Sequence, residues 1–167
     1  MYSGKEFEDD FKKSWQNNPQ GTSLVRLYDT TFGNKGIANP CDFVLGIQNS
    51  TVWLELKTVK EKTFTFDNLS SNQYESMLAA AKASPFTVCG ILVYFREPSS
   101  VYFYDIRLIE EMKIRGERKS INSVTMAYAG TPIRFRKKVV HIEIDTDHLF
   151  NEVFPLYQEG GFRYGQS

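Results

Sequence analysis

Residues 39–57 read Asn39-Pro40-Cys41-Asp42-Phe43-Val44-Leu45-Gly46-Ile47-Gln48-Asn49-Ser50-Thr51-Val52-Trp53-Leu54-Glu55-Leu56-Lys57. Two alternating runs, Asp42 to Ile47 and Thr51 to Lys57, flank the polar turn Gln48-Asn49-Ser50, which predicts a β-hairpin. With Asn49 and Ser50 as the two turn residues, position 42 lies opposite 57, 44 opposite 55 and 46 opposite 53. Phe43, Leu45, Ile47, Val52, Leu54 and Leu56 then share one wholly apolar face. The other face carries Asp42, Glu55 and Lys57 together, with Trp53 laid across Gly46. A slip of one residue would drive a carboxylate into the core, so the pattern specifies the pairing. A three-residue loop would break it.

Two carboxylates and an amine on one strand face are what a Mg²⁺-dependent phosphodiesterase requires: oxygen ligands for a hard cation and a positive charge beside the phosphate. Asp42 and Glu55 form the metal pair, and the main-chain carbonyl of Leu56 offers a further ligand. Lys57 projects to the same face as Glu55, where it can orient or activate a water and offset charge on the phosphate. The competing explanation is a surface ion pair, Asp42 with Lys57, worth roughly 0.2–1 kcal/mol. The apolar opposite face and the sequence that follows favour the metal.

Glu8 is the candidate third carboxylate. Glu6, Asp9 and Asp10 share its helical turn, and acids near a helix start are favourable for their own sake. Glu6 is explained by a cap; Glu8 borders the apolar stripe of its helix, from where it can reach inward over the sheet, although taken alone the helix-start explanation outweighs this. Gln73 opens the second helix. With Ser70 it forms a capping box, or its amide holds the catalytic water or a phosphate, and spacing does not decide between these.

Outward from this centre, the chain reads as an α/β domain. Ser3 to Trp15 is helical, with Phe7, Phe11 and Trp15 on one stripe and Ser3/Glu6 as a capping box. Asn17 to Gly21 stops it, Ser23 to Tyr28 is a strand, and Asp29 to Cys41 is a loop. Thr63 to Asn68 is a link, Ser70 to Ala83 a helix ended before Pro85, and Thr87 to Phe95 and Val101 to Ile106 are strands. Leu108 to Ile114 is a short helix and Gly116 to Thr131 is polar and irregular. Ile133 to Ile144 alternates like a strand, and Asp147 to Val153 is a last helical turn. The order implies a mixed sheet in one domain, residues 1–159, followed by a flexible tail, 160–167.

The 167 residues suffice for a real core, and 41% are hydrophobic. The longest apolar run, Val88 to Phe95, is strand-length, far below the ~18 residues of a membrane span. Lys5 with Glu6, Glu8, Asp9 and Asp10 is no signal peptide. Cys41 and Cys89 lack zinc-ligand spacing and read as reduced thiols of a cytoplasmic protein. Lys plus Arg equals Asp plus Glu at 20 each, which argues against a sequence-blind nucleic-acid coat protein but allows a local basic face. Three basic clusters are candidates for such a face. They are Lys57, Lys60 and Lys62; Lys113, Arg115, Arg118 and Lys119; and Arg134, Arg136, Lys137 and Lys138, of which Arg134, Arg136 and Lys138 alternate onto one strand face. Lys35 is the lone basic residue of the 29–41 loop. His141 and His148 have no ligand-like spacing.

The order of motifs resembles the RecU-type Holliday junction resolvases, within the PD-(D/E)xK, restriction-endonuclease-like fold. Gly4-Lys5-Glu6-Phe7-Glu8 is similar to the family's opening helix, its acid falling on Glu8. Asp42-Phe43 followed by Gly46 resembles the catalytic aspartate and its strand, and Leu54-Glu55-Leu56-Lys57-Thr58 the Glu-x-Lys segment. Asn68 to Met77 places the family glutamine on Gln73, and Gly116 to Ile121 resembles a Gly-Arg-Lys-Ser-Ile segment. The resemblance implies an endonuclease acting on branched, four-way DNA by paired symmetric nicks, as a homodimer with Mg²⁺ or Mn²⁺. A two-fold dimer matches a two-fold substrate. Two departures stand out: residues 29–41 are short where the family carries a basic projecting stalk, and the chain from Ser123 onward departs from the family pattern. So compact a protein suits a phage acting in a bacterial cytoplasm. The rival readings are a nuclease of the same fold cutting linear duplex, a non-catalytic DNA-binding dimer, and a small carboxylate-metal phosphoesterase that never touches DNA.

Overall fold

Ser3 and Glu6 start the first helix as their spacing predicts. The Ser3 hydroxyl accepts the Glu6 N–H, and the Glu6 carboxylate accepts the Ser3 N–H at 2.6 Å. The structure, a computed structural model, describes residues 2–17, 21–28, 38–47, 50–116, 119–122 and 130–153. Helix α1 (Gly4–Ser14) lays Phe7, Phe11 and Trp15 on the sheet, with the Phe11 and Phe43 rings 5.0 Å apart.

The sheet has six strands in the order β1-β2-β3-β5-β6-β8. They are β1 (Thr22–Arg26), β2 (Phe43–Ile47), β3 (Ser50–Val59), β5 (Thr87–Arg96), β6 (Ser99–Asp105) and β8 (Thr131–Pro132). Only β3 and β5 run parallel, joined by the crossover helix α2 (Ser71–Ala83). Both faces of this central pair are covered, so Val88 to Phe95 is buried without interruption. α1 and helix α4 (Thr146–Val153) close one face, and α2 and α3 (Ile106–Ile114) close the other.

The β2–β3 hairpin keeps the predicted faces but not the predicted register. All six residues Phe43, Leu45, Ile47, Val52, Leu54 and Leu56 are buried under α1. Phe43 pairs with Leu54, Val44 with Trp53, Gly46 with Thr51, and Ile47 with Ser50. Ser50 therefore belongs to the strand, and residues 48 and 49, outside the described ones, separate the paired ends. The slip is of two residues, so every side chain keeps its face. Its effect is to bring Asp42 level with Glu55 instead of Lys57, and to put Val44 rather than Gly46 across from Trp53.

Ile133 to Ile144 is not one strand. It is a small antiparallel ribbon, β9 (Phe135–Lys137) and β10 (Ile142–Ile144), apart from the main sheet. Each arm is three residues long, and the alternation changes phase between them, from Ile133 and Phe135 to Ile142 and Ile144, a shift that marks the turn. The 63–68 link holds strand β4 (Thr63–Thr65), and the irregular 116–131 stretch holds β7 (Ser120–Asn122), its antiparallel partner. The 160–167 tail lies outside the described residues.

Strand β10 borrows its second neighbour from a helix. Asp10, 2% exposed, accepts the Ile142 N–H at 2.9 Å and the Tyr2 hydroxyl at 2.7 Å. One turn along α1, the Ser14 hydroxyl accepts the Ile144 N–H at 2.9 Å. The outward N–H groups of β10 are thereby satisfied without another strand.

Candidate active site

Strand β3 delivers Glu55 and Lys57 to the α2 side of the sheet, and the chain entering β2 delivers Asp42 beside them. Asp42 is locked by its neighbours: its N–H donates to the Leu54 carbonyl at 3.0 Å, and its Oδ2 accepts the Leu56 N–H at 2.7 Å. Glu55 is 2% exposed. Its Oε1 accepts from Lys57 Nζ and from Gln73 Nε2, each at 2.7 Å. Its Oε2 is buried with no hydrogen-bond partner among the described residues. An orphaned carboxylate oxygen in a closed site is costly unless something cationic completes it.

The electrostatics point the same way. Burial raises the Asp42 carboxyl to about 6, against a lowering from the Leu56 N–H. Burial raises Glu55 to about 7, and the Asp42 charge adds to it. Lys57 pulls Glu55 down, yet desolvation outweighs the ammonium. Two neighbouring acids, Glu55 buried and Asp42 partly so, that repel each other fit a site for a divalent cation. The side chains that could offer oxygen donors there are Asp42 and Glu55. No cross-strand Asp42–Lys57 pair forms, because Lys57 turns to Glu55 in its own strand.

Gln73 closes the capping box, one of the two tasks its position left open, and its other amide end goes to Glu55, a partner the sequence reading did not name. Its Oε1 accepts the Ser70 N–H at 3.1 Å, closing the capping box of α2, while its Nε2 holds Glu55. Ser70→Ala and Gln73→Ala are each expected to cost roughly 0.5–2 kcal/mol of stability through the cap. Only Gln73→Ala should also lower turnover, by about tenfold or more, because it frees the Glu55 carboxylate. Urea titrations paired with single-turnover rates check the split.

Glu8 is turned onto Arg26, which holds Glu8 and Asp9 together in a two-pronged ion pair. Its charge still raises both Asp42 and Glu55, so it lies within electrostatic reach of the pair. No three acid, His or Cys side chains among the described residues converge as a ligand set. Sequence reasoning passed over Arg26, which is seated over the Phe43 ring and lowers the Asp42 pKa. The signal was there: one cation inside the apolar run Leu24-Val25-Arg26-Leu27.

Of the basic candidates, Lys60, Lys62, Arg115 and Lys119 are exposed. Lys35 and Arg118 lie outside the described residues. In the third cluster, Lys138 Nζ pairs with Glu143 at 2.8 Å and Arg134 Nε lies 3.9 Å from Asp145, while Arg136 sits across the ribbon from Glu143. The alternating basic face expected there is thus interleaved with acids. No helix among the described residues is long and apolar enough to cross a membrane.

No curated protein matches the chain. Among solved structures, it is similar to Hjc of Archaeoglobus fulgidus, a Holliday junction resolvase from an archaeal hyperthermophile. The TM-score is 0.52 at 20% identity, over 77% of this chain and 95% of that one. That likeness places the sheet and its flanking helices in the restriction-endonuclease-like fold. The family profile of recombination protein U, RecU, matches residues 31–145, a span that takes in Asp42, Glu55, Lys57 and Gln73. With that match over most of its length, the chain belongs to the RecU family.

Proposed function

We propose that this chain resolves four-way DNA junctions as a homodimeric, Mg²⁺-dependent endonuclease, nicking two opposed strands symmetrically. Membership of the RecU family carries the junction-resolving nuclease activity. The observation that supports the chemistry is the convergence of Asp42, Glu55 and Lys57 around the unpartnered Glu55 Oε2. A bacterial cytoplasm is the compartment that this reading fits.

Asp42, Glu55 and the Leu56 carbonyl would hold Mg²⁺, or Mn²⁺ in its place. When bound, the ion offsets charge building on the scissile phosphate and makes a water easier to deprotonate. Lys57, 23% exposed at its side chain, reaches both Glu55 and the solvent edge where a water or phosphate oxygen would sit. Its ammonium orients the attacking water and stabilises the phosphate as charge develops. Gln73 fixes the Glu55 carboxylate, so that little reorganisation accompanies the reaction. Glu8 adds negative charge nearby and raises the site's demand for a cation.

A labelled four-way junction incubated with and without Mg²⁺, beside linear duplex of the same sequence, tests the reading. Paired nicks in the junction alone are expected. Equal cutting of the linear duplex would favour a restriction- or repair-type nuclease, and binding without nicking a non-catalytic dimer.

The raised carboxyls also make stability depend on pH. In the folded, metal-free protein Asp42 and Glu55 hold protons that the unfolded chain releases near 3.8 and 4.5. Their contribution is therefore full below about 4 and is lost as pH rises through about 6 and about 7. Metal-free Tm should fall across that window, and Mg²⁺ should restore on the order of 3 °C above it but nothing below it. Thermal scans with EDTA and with Mg²⁺ across the window check this.

A further inference from the structure

The three basic clusters are not equivalent, and the fold separates them. The β4–β7 ribbon carries Lys62 just before Thr63 and Lys119 just before Ser120, and the two strands are antiparallel. The two lysines therefore mark opposite ends of a ribbon roughly 10 Å long, about three base-pair steps of a DNA strand. The Lys119 carbonyl accepts the Phe66 N–H at 3.0 Å, which fixes that end against the approach to α2. At the end of α3, Lys113 Nζ lies 3.9 Å from the centre of the Tyr74 ring. Tyr74 adjoins Gln73, which holds Glu55. Lys60, Lys62, Lys113, Arg115 and Lys119 are all exposed, and none makes an ion pair among the described residues, although Glu61 and Asp67 lie between them in sequence.

On the other side of the site the charges are mixed. α1 presents Glu6, Glu8 and Asp9 together with exposed Lys5, Lys12 and Lys13, and Arg26 is paired with Glu8 and Asp9. Beyond α1, the β9–β10 ribbon spends Lys138 on Glu143 and sets Arg134 beside Asp145. A polyanion leaving Lys57 toward the β4–β7 ribbon meets cations that no acid among the described residues is paired with, whereas toward α1 and the β9–β10 ribbon cations and acids are interleaved.

We propose that the phosphate backbone of a junction arm runs from Lys57 along Lys60, Lys62 and Lys119 to the Lys113–Arg115 end of α3, and not across α1 or the β9–β10 ribbon. This rests on the nuclease reading above and adds the path of its substrate. The test is the salt dependence of junction affinity, measured in Ca²⁺ for K60A/K62A, R115A/K119A and R134A/R136A. Each phosphate contact contributes about 0.9 to the slope of log K against log salt. K60A/K62A and R115A/K119A should each flatten that slope by about 1–2 and weaken binding about tenfold near 0.1 M salt. R134A/R136A should change neither. Unchanged slopes in the first two variants, or a flattened slope in the third, would overturn the path. Nicking by the wild type in Mg²⁺ separates the two claims. If it fails while the slopes behave as expected, the catalytic reading falls and the path stands; if it succeeds with unchanged slopes, only the path falls.

Discussion

Glu55→Gln should abolish junction cleavage in Mg²⁺, a loss of at least about a thousandfold, while junction affinity stays within about twofold. The amide keeps the shape and the packing of the carboxylate but cannot offer a charge to the cation. It removes no basic contact, so the electrostatic attraction of DNA is untouched. Asp42→Asn should behave alike, since its amide oxygen can still accept the Leu56 N–H that now goes to Oδ2. Single-turnover cleavage in Mg²⁺ and gel shifts in Ca²⁺ measure the two quantities. A wild-type nicking rate in either variant would remove these carboxylates from the reaction. In EDTA at neutral pH, Glu55→Gln should also melt at a higher temperature than wild type. The substitution relieves a buried charge that Lys57 and Gln73 compensate only in part.

Lys57→Ala should cut turnover about a hundredfold to a thousandfold and shift Tm by only a few degrees. Lys57 lies at the rim of the site, and its one recorded ion pair is with Glu55. Loss of the ammonium removes a charge that lowers the Glu55 pKa. The acid limb of the rate profile should therefore move to higher pH. A variant that is largely unfolded by circular dichroism would instead make Lys57 a structural ion-pair partner. The pH profile distinguishes a chemical role from mere weakening of the fold.

Much of this was readable in the chain because the hairpin's two faces differ so sharply. A six-residue apolar face fixes which side Asp42 and Glu55 occupy, whichever even register the strands adopt. The register itself was not readable. Gln48, Asn49 and Ser50 are all good turn residues, and a slip of two leaves every burial preference satisfied. Only the backbone pairing of Ile47 with Ser50 distinguishes the two. Gln73 was ambiguous for a different reason: its amide has an acceptor end and a donor end, and the fold uses both. Arg26 was missed because its partners Glu8 and Asp9 come from a segment that spacing alone cannot bring to it, and the β9–β10 ribbon because its two alternating arms were read as one strand across the change of phase at residues 137–141. Conversely, the basic strand face expected at Arg134 to Lys138 was over-read, since a sequence shows cations more readily than it shows the acids folded against them.

The contact of α1 with β10 ties the two ends of the chain into one mechanical unit. Asp10 and Ser14 grip the late ribbon from the same helix that carries Glu8, whose charge is felt by Asp42 and Glu55. Deleting the chain after Lys137 would take the Ile142 N–H from the buried Asp10, leaving it the Tyr2 hydroxyl, and should loosen the helix that carries Glu8. A truncation that removes β10 should thus be felt at Asp42 and Glu55, and the departure expected from Ser123 onward does not hold for this ribbon, which lies inside the stretch that the RecU profile matches.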